Sequence, residues 1–130
     1  MNASPILRLS LMSLTSLLIG CQGWIMDYGK PAAQFEAHHA TAVAPDFLGR
    51  KVSVRGRVSA VDTSNPDHCI VQLGHGVTAD FGKSRRAAEA CKVGEVVHIS
   101  GIVKAAGPAG VTLAPAFGRD PDAPFNPLHP

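Results

Sequence analysis

The stretch KVSVRGRVSA, residues 51–60, places Val52, Val54, Gly56, Val58 and Ala60 at every second position, with Ser53, Arg55, Arg57 and Ser59 between them. A period of two is that of a strand with one face buried and one in water. The pattern returns in VVHISGIVK, residues 96–104, where Val97, Ile99, Gly101 and Val103 point one way and His98, Ser100 and Lys104 the other. Both stretches carry a glycine in mid-strand. Such a glycine marks a bulge or sharp bend, which a long strand serving both halves of a small barrel needs.

Between these two strands, Cys69, Val71 and Leu73 alternate with polar or outward residues, as do Val77, Ala79 and Phe81, around Gly74-His75-Gly76. This predicts a hairpin. Ser84 is placed to cap a helix over Arg85–Cys91 with Ala87, Ala88 and Cys91 on one face, closed by Gly94. A turn at Gly107-Pro108-Ala109-Gly110 leads to a last strand with Val111 and Leu113. Five such strands cannot hide their apolar faces as an open sheet without a partner layer, so closure is the economical solution. The predicted fold is mainly β, a five-stranded OB-fold barrel with a helix between strands 3 and 4. An N-terminal helix is predicted to precede it over Ala32–Ala44, with Phe35, His39, Ala42 and Val43 at helical spacing, Pro31 at its start and Pro45 at its end. Residues 118–130 carry Pro at 121, 124, 127 and 130, which predicts an extended or disordered tail.

The amino end reads differently. MNASPILRLSLMSLTSLLIGC, residues 1–21, has one basic residue, Arg8, and then an apolar run from Leu9 to Ile19. These are the n- and h-regions of a signal peptide, and the run is too short to span a membrane, which takes about 20 apolar residues. Leu18-Ile19-Gly20-Cys21 resembles the lipobox of bacterial lipoproteins. The resemblance implies cleavage before Cys21, acylation of that cysteine and a permanent membrane anchor, since two anchoring signals already suffice for stable attachment. By resemblance to lipoproteins with sorting rules, Gln22 rather than Asp after the cysteine implies the outer membrane, facing the periplasm, rather than the inner membrane. The expected organisation is a leader over 1–20, a linker from lipidated Cys21 over 21–31, a helix plus barrel over 32–117 and the tail over 118–130. Without Arg8 the chain has eleven basic residues against ten acidic, so net charge does not demand a polyanionic partner.

The stretch from Ala32 to Phe117 resembles the tRNA-anti-like OB-fold family of small bacterial secreted proteins and lipoproteins. The matching residues are Gly49, Lys51, Val52, Val54, Gly56 and Val58 in the first barrel strand and Gly94, Val97, Ile99 and Gly101 in the fourth. These motifs are structural, and the resemblance implies a fold rather than an activity. Some members are expected to carry cysteines in the third strand and at the end of the fifth, where this chain has Ala79 and Ala114. No disulfide is carried over from the family.

Cys69 and Cys91 are both expected to point inward. In an oxidising compartment a disulfide between them would close a loop of about 22 residues and stabilise by about 3 kcal/mol; the alternative is two buried thiols acting as small hydrophobes. The six histidines show no repeated ligand spacing. Adjacent His38 and His39 cannot face one ion from a helix, and a metal pairing of His68 with His75 across the hairpin is weighed against solvated histidines, the preferred reading. From Leu48 to Lys104 nine basic residues face five acidic ones, which raises a polyanion or nucleic-acid reading. Single-strand-binding barrels also stack bases on exposed aromatics, and the barrel offers only Phe81, on the inward phase, and Phe117. No nucleophile elbow, phosphate loop or paired carboxylates accompany a histidine. The expected function is therefore a non-catalytic, cofactor-free, lipid-anchored binding module for a protein, glycan or small ligand, with polyanion binding and metal binding as alternatives. Barrels of this type bind on the face of strands 2 and 3 and with the loops after strands 1 and 4. The candidate binding face is Gln72 and Thr78 with Arg55 and Arg57, and loops Thr63–Asp67 and Ala105–Gly110.

Overall fold

The structure is a computed structural model that describes residues 30–130. The expected leader, the lipidated Cys21 and nearly all of the linker lie outside the described residues. Among those described, the elements run β1 (Ala33–Glu36), α1 (Ala40–Val43), β2 (Lys51–Asp62), β3 (Ile70–Leu73), β4 (Val77–Asp80), α2 (Arg85–Glu89), β5 (Val96–Gly107) and β6 (Gly110–Gly118). Turns of 3-10 helix fill Ala37–His39, Ala44–Phe47 and Gly74–Gly76. No helix among these residues is long and apolar enough to cross a membrane.

The barrel closes through β2. Its first half, residues 51–57, pairs antiparallel with β5, and its second half, from Val58 to Asp62, pairs antiparallel with β3. β3 continues to β4, β4 lies parallel to β6, and β6 returns to β5, so five strands form a ring. This is the mainly β barrel that alternation predicts, with α2 between the third and fourth barrel strands. Val52, Val54, Cys69, Val71, Val77, Ala79, Ile99 and Leu113 are fully buried inside it. The mid-strand glycines have distinct causes. A Cβ on Gly101 would come within 2.9 Å of the Pro115 carbonyl oxygen, at a point where the β5–β6 register shifts. A Cβ on Gly56 would come within 2.7 Å of the Ala37 Cβ.

Three expectations need correction. The helix over Ala32–Ala44 starts instead as β1, which pairs parallel with Val52–Arg55 of β2, and helical turns begin only at Ala37. Phe35, the bulkiest side chain here, is 0 % exposed; burying it through the strand phase outweighs the weak helix preference of its neighbours. The helix expected over Arg85–Cys91 ends at Glu89, and of its expected inner face Ala88 and Cys91 are buried while Ala87 is exposed. Ala60 is exposed, because a register shift between Val58 and Ala60 inserts one residue and turns Val61 inward.

The tail is extended and docked, not disordered. Gln34 on β1 supplies what prolines cannot: its side-chain amide donates to the Pro124 carbonyl (3.3 Å) and accepts from the Asn126 N–H (2.6 Å). The Leu128 N–H donates to the Gln34 carbonyl (2.7 Å). Ser53 and Ser100 lie on the outward phase of their strands yet are 0 % and 3 % exposed, their hydroxyls bonded to each other at 2.7 Å.

Candidate binding cleft

β1 and β3 lie along the same edge of β2, one after the other. β1 stops pairing at Arg55 and β3 starts at Val58, so among the described residues the strand has no sheet partner on that edge at Gly56 and Arg57. A cleft of about 560 Å³ opens at this junction. Its lining comes from three separate stretches: Glu36–His38, Arg55–Ser59 with Val96 beside them, and Gly74–His75. Ala37, Gly56, Val58 and Val96 give it an apolar surface, and Arg57, His38 and His75 are exposed around it.

The two arginines play unequal parts. Arg55 donates through Nε (3.1 Å) and Nη2 to the Glu36 carboxylate, and this bond raises its already high pKa. Its guanidinium also lies 4.5 Å from the centroid of the Phe125 ring. Arg57 donates to the Gly94 carbonyl, and among the described residues it pairs with no carboxylate. A guanidinium has five donors, so Arg57 is the cation of the cleft with bonding capacity left over.

His75 brings the third stretch into place. Its backbone is left-handed (φ 66), followed by Gly76 at φ 77; histidine is one of the few side chains that visits this region with any frequency. The turn sets the His75 ring 5.9 Å from His38, which is 4.0 Å from His39, which in turn meets His129 of the tail at 5.5 Å. Burial, followed by the nearby His38 and His129, pushes the His39 pKa below its ordinary value.

The expected face is therefore divided. Arg55 and Arg57 line the cleft; Gln72 and Thr78 do not, and face each other across the β3–β4 hairpin with Gln72 exposed. Of the expected loops, Thr63–Asp67 is a turn set by the Asp62 and Asn65 carboxyl and amide oxygens, which accept from Ser64 and Asp67 N–H groups. Ala105–Gly110 is mostly strand, since Ala105 and Ala106 pair with Thr112 and Val111, and only Pro108 and Ala109 remain as loop. His68 does not meet His75: its Nδ1 lies 2.8 Å from an Asp80 carboxylate oxygen. Among the described residues no three His, Cys, Asp or Glu side chains are arranged to hold a metal ion. Cys69 and Cys91 are buried free thiols turned toward the Asn65 and Ala87 carbonyls, so the candidate disulfide is not formed in this structure.

No protein-family model matches the chain, and no curated protein matches it. Among solved structures, a "putative nucleic acid-binding lipoprotein" from Klebsiella pneumoniae is similar at 22 % identity and a TM-score of 0.49, covering 62 % of this chain and 78 % of that one.

Proposed function

We propose that this chain is a non-catalytic binding module, carried on a lipid anchor at Cys21 in the outer membrane and facing the periplasm, that takes its ligand in the cleft over Gly56. One observation carries this reading: among the described residues β2 has no edge partner between Arg55 and Val58, and the opening is lined by an apolar surface and by Arg57, which pairs with no described carboxylate. An apolar wall with few convergent polar groups is the usual make-up of a small-ligand site. The ligand class that fits is a glycan, peptide or small molecule bearing an acidic group for Arg57 and an apolar body for Val58 and Val96.

The polyanion reading finds less support. Phe81 is 4 % exposed, Phe117 packs against the Lys51 ammonium at 5.4 Å, and Arg55 is engaged by Glu36. A row of bare aromatics for stacking bases is not what these side chains form.

Amide chemical shifts of the labelled protein, recorded against fractions of envelope extract, test the cleft. The expected ligand moves Gly56, Arg57, Gly74 and Val96, is recovered chemically unchanged, and binds Arg57→Ala at least about tenfold more weakly, as expected for loss of a charge-assisted hydrogen bond. A ligand that moves Gln72 and Thr78 instead, or that ignores Arg57, sinks the proposal. For the anchor, a Cys21→Ala precursor should lose membrane association; unchanged fractionation refutes lipidation.

A further inference from the structure

β1 is the last strand of the sheet order, paired on one side with β2. An open strand edge is a template for another extended segment. Here the tail already shows what that edge accepts. Four polar contacts read its backbone: the Pro124 carbonyl on the Gln34 side chain and on Arg119 Nη2, the Asn126 N–H on the Gln34 side chain, and the Leu128 N–H on the Gln34 carbonyl. Residues 123, 125 and 127 are half-buried while 122, 124, 126 and 128 are more open, the alternation of a strand laid on a surface. Between these contacts the Phe125 ring lies against the Arg55 guanidinium (4.5 Å) and the His98 ring (5.0 Å, edge-on). The prolines fall at 124 and 127, whose missing N–H groups this edge does not use. His98 Nδ1 and Arg119 Nη1 are buried here without a hydrogen-bond partner, while Arg119 holds the segment through Nη2.

We propose that the open edge of β1, with the slot formed by Arg55 and His98, is a docking groove for an extended segment of a partner protein that carries an aromatic residue with proline just before it and two positions after it, and that residues 124–129 hold the groove in cis. The groove reads backbone and one ring, so its specificity lies in the aromatic and in N–H groups one and three positions beyond it. Its occupant competes with a tail tethered at an effective concentration on the order of millimolar. This inference goes beyond the cleft and does not depend on what the cleft binds.

The test uses the full chain, unchanged or as Phe125→Ala, and a fluorescein-labelled peptide of residues 121–130 read by anisotropy. The peptide should bind Phe125→Ala at least tenfold more tightly than the unchanged chain, and should lose at least tenfold when its own phenylalanine is replaced by alanine. Gln34→Ala added to Phe125→Ala should abolish binding while the circular dichroism spectrum is retained. Equal affinity for both chains, or indifference to the peptide's phenylalanine, overturns the proposal. So does a concentration-dependent dimer of the unchanged chain that Phe125→Ala dissolves, because the groove would then take the tail of a second copy.

Discussion

Replacing Gly56 by alanine tests whether the junction of β1 and β3 sets the shape of the barrel wall. The new Cβ would stand 2.7 Å from the Ala37 Cβ, 3.2 Å from the Leu73 Cδ1 and 3.4 Å from the Leu73 Cβ. Carbon atoms in contact sit at about 3.5 to 4.0 Å, so the Ala37 contact is about 1 Å too close. Leu73 can turn its terminal methyl away; Ala37 cannot move its Cβ without moving backbone. Overpacking of this kind costs about 1 to 3 kcal/mol, and a domain of this size loses about 4 to 8 °C of Tm per kcal/mol. Gly56→Ala should therefore melt on the order of 10 °C lower. Ala37→Gly in the same chain should recover much of the loss, giving a coupling between the sites well above the few tenths of a kcal/mol seen for independent ones. Gly74→Ala, whose Cβ meets nothing within 4 Å, is the control and should be close to neutral. If Gly56→Ala melts with the unchanged protein, or costs as much in the Ala37→Gly background as in the unchanged chain, the steric account is refuted.

Other outcomes follow from buried polar groups. Ser53→Ala or Ser100→Ala alone leaves one hydroxyl without its partner and should cost about 1 to 3 kcal/mol, whereas the double replacement should cost less than the two singles added, as read by urea denaturation. His98 is held below its ordinary pKa by burial, then by Arg119 and Arg55, against a smaller opposing pull from Glu36. Its folded form binds fewer protons than the unfolded chain, so its contribution is whole above about pH 6.5 and is lost as the pH falls below that value. Tm recorded from pH 8 to pH 5 should decline, and His98→Gln should lessen the slope; an unaltered slope refutes this origin. Burial, with Glu95 nearby, pushes the Cys91 thiol up, and Cys69 is 0 % exposed. Both should resist alkylation in the native protein and react in denaturant without reductant. Rapid native labelling contradicts this burial, and no reaction in denaturant shows that they are joined.

The barrel was legible because its signal is local: alternation at Val52–Val58, Cys69–Leu73, Val77–Phe81 and Val97–Val103 states which side of each strand is buried. Ala60 escaped that reading because a bulge changes the phase without changing composition. β1 escaped because alanine, glutamine and glutamate favour helices in isolation, although Ala33, Phe35 and Ala37 already alternate with Gln34 and Glu36. The partner that makes them a strand is β2, roughly twenty positions away, and a window along the chain does not contain it. The cleft was the least legible part. Arg57 could be named from its phase, but its neighbours His38 and His75 arrive by separate turns, and the left-handed backbone at His75 has no mark beyond the glycines that flank it.

The contact between Leu128 and Gln34 places the last few described residues beside the first few. The domain is therefore a nearly closed loop of chain, and its connectivity can be reopened elsewhere. A circular permutant that joins residue 130 to residue 31 through a short flexible bridge, with new ends cut in the exposed turn at Ser64–Asn65, would keep every strand pairing intact. It would also have β3 to β6 synthesised before β1 and β2, reversing the order in which the two halves of the barrel appear without changing which strands meet.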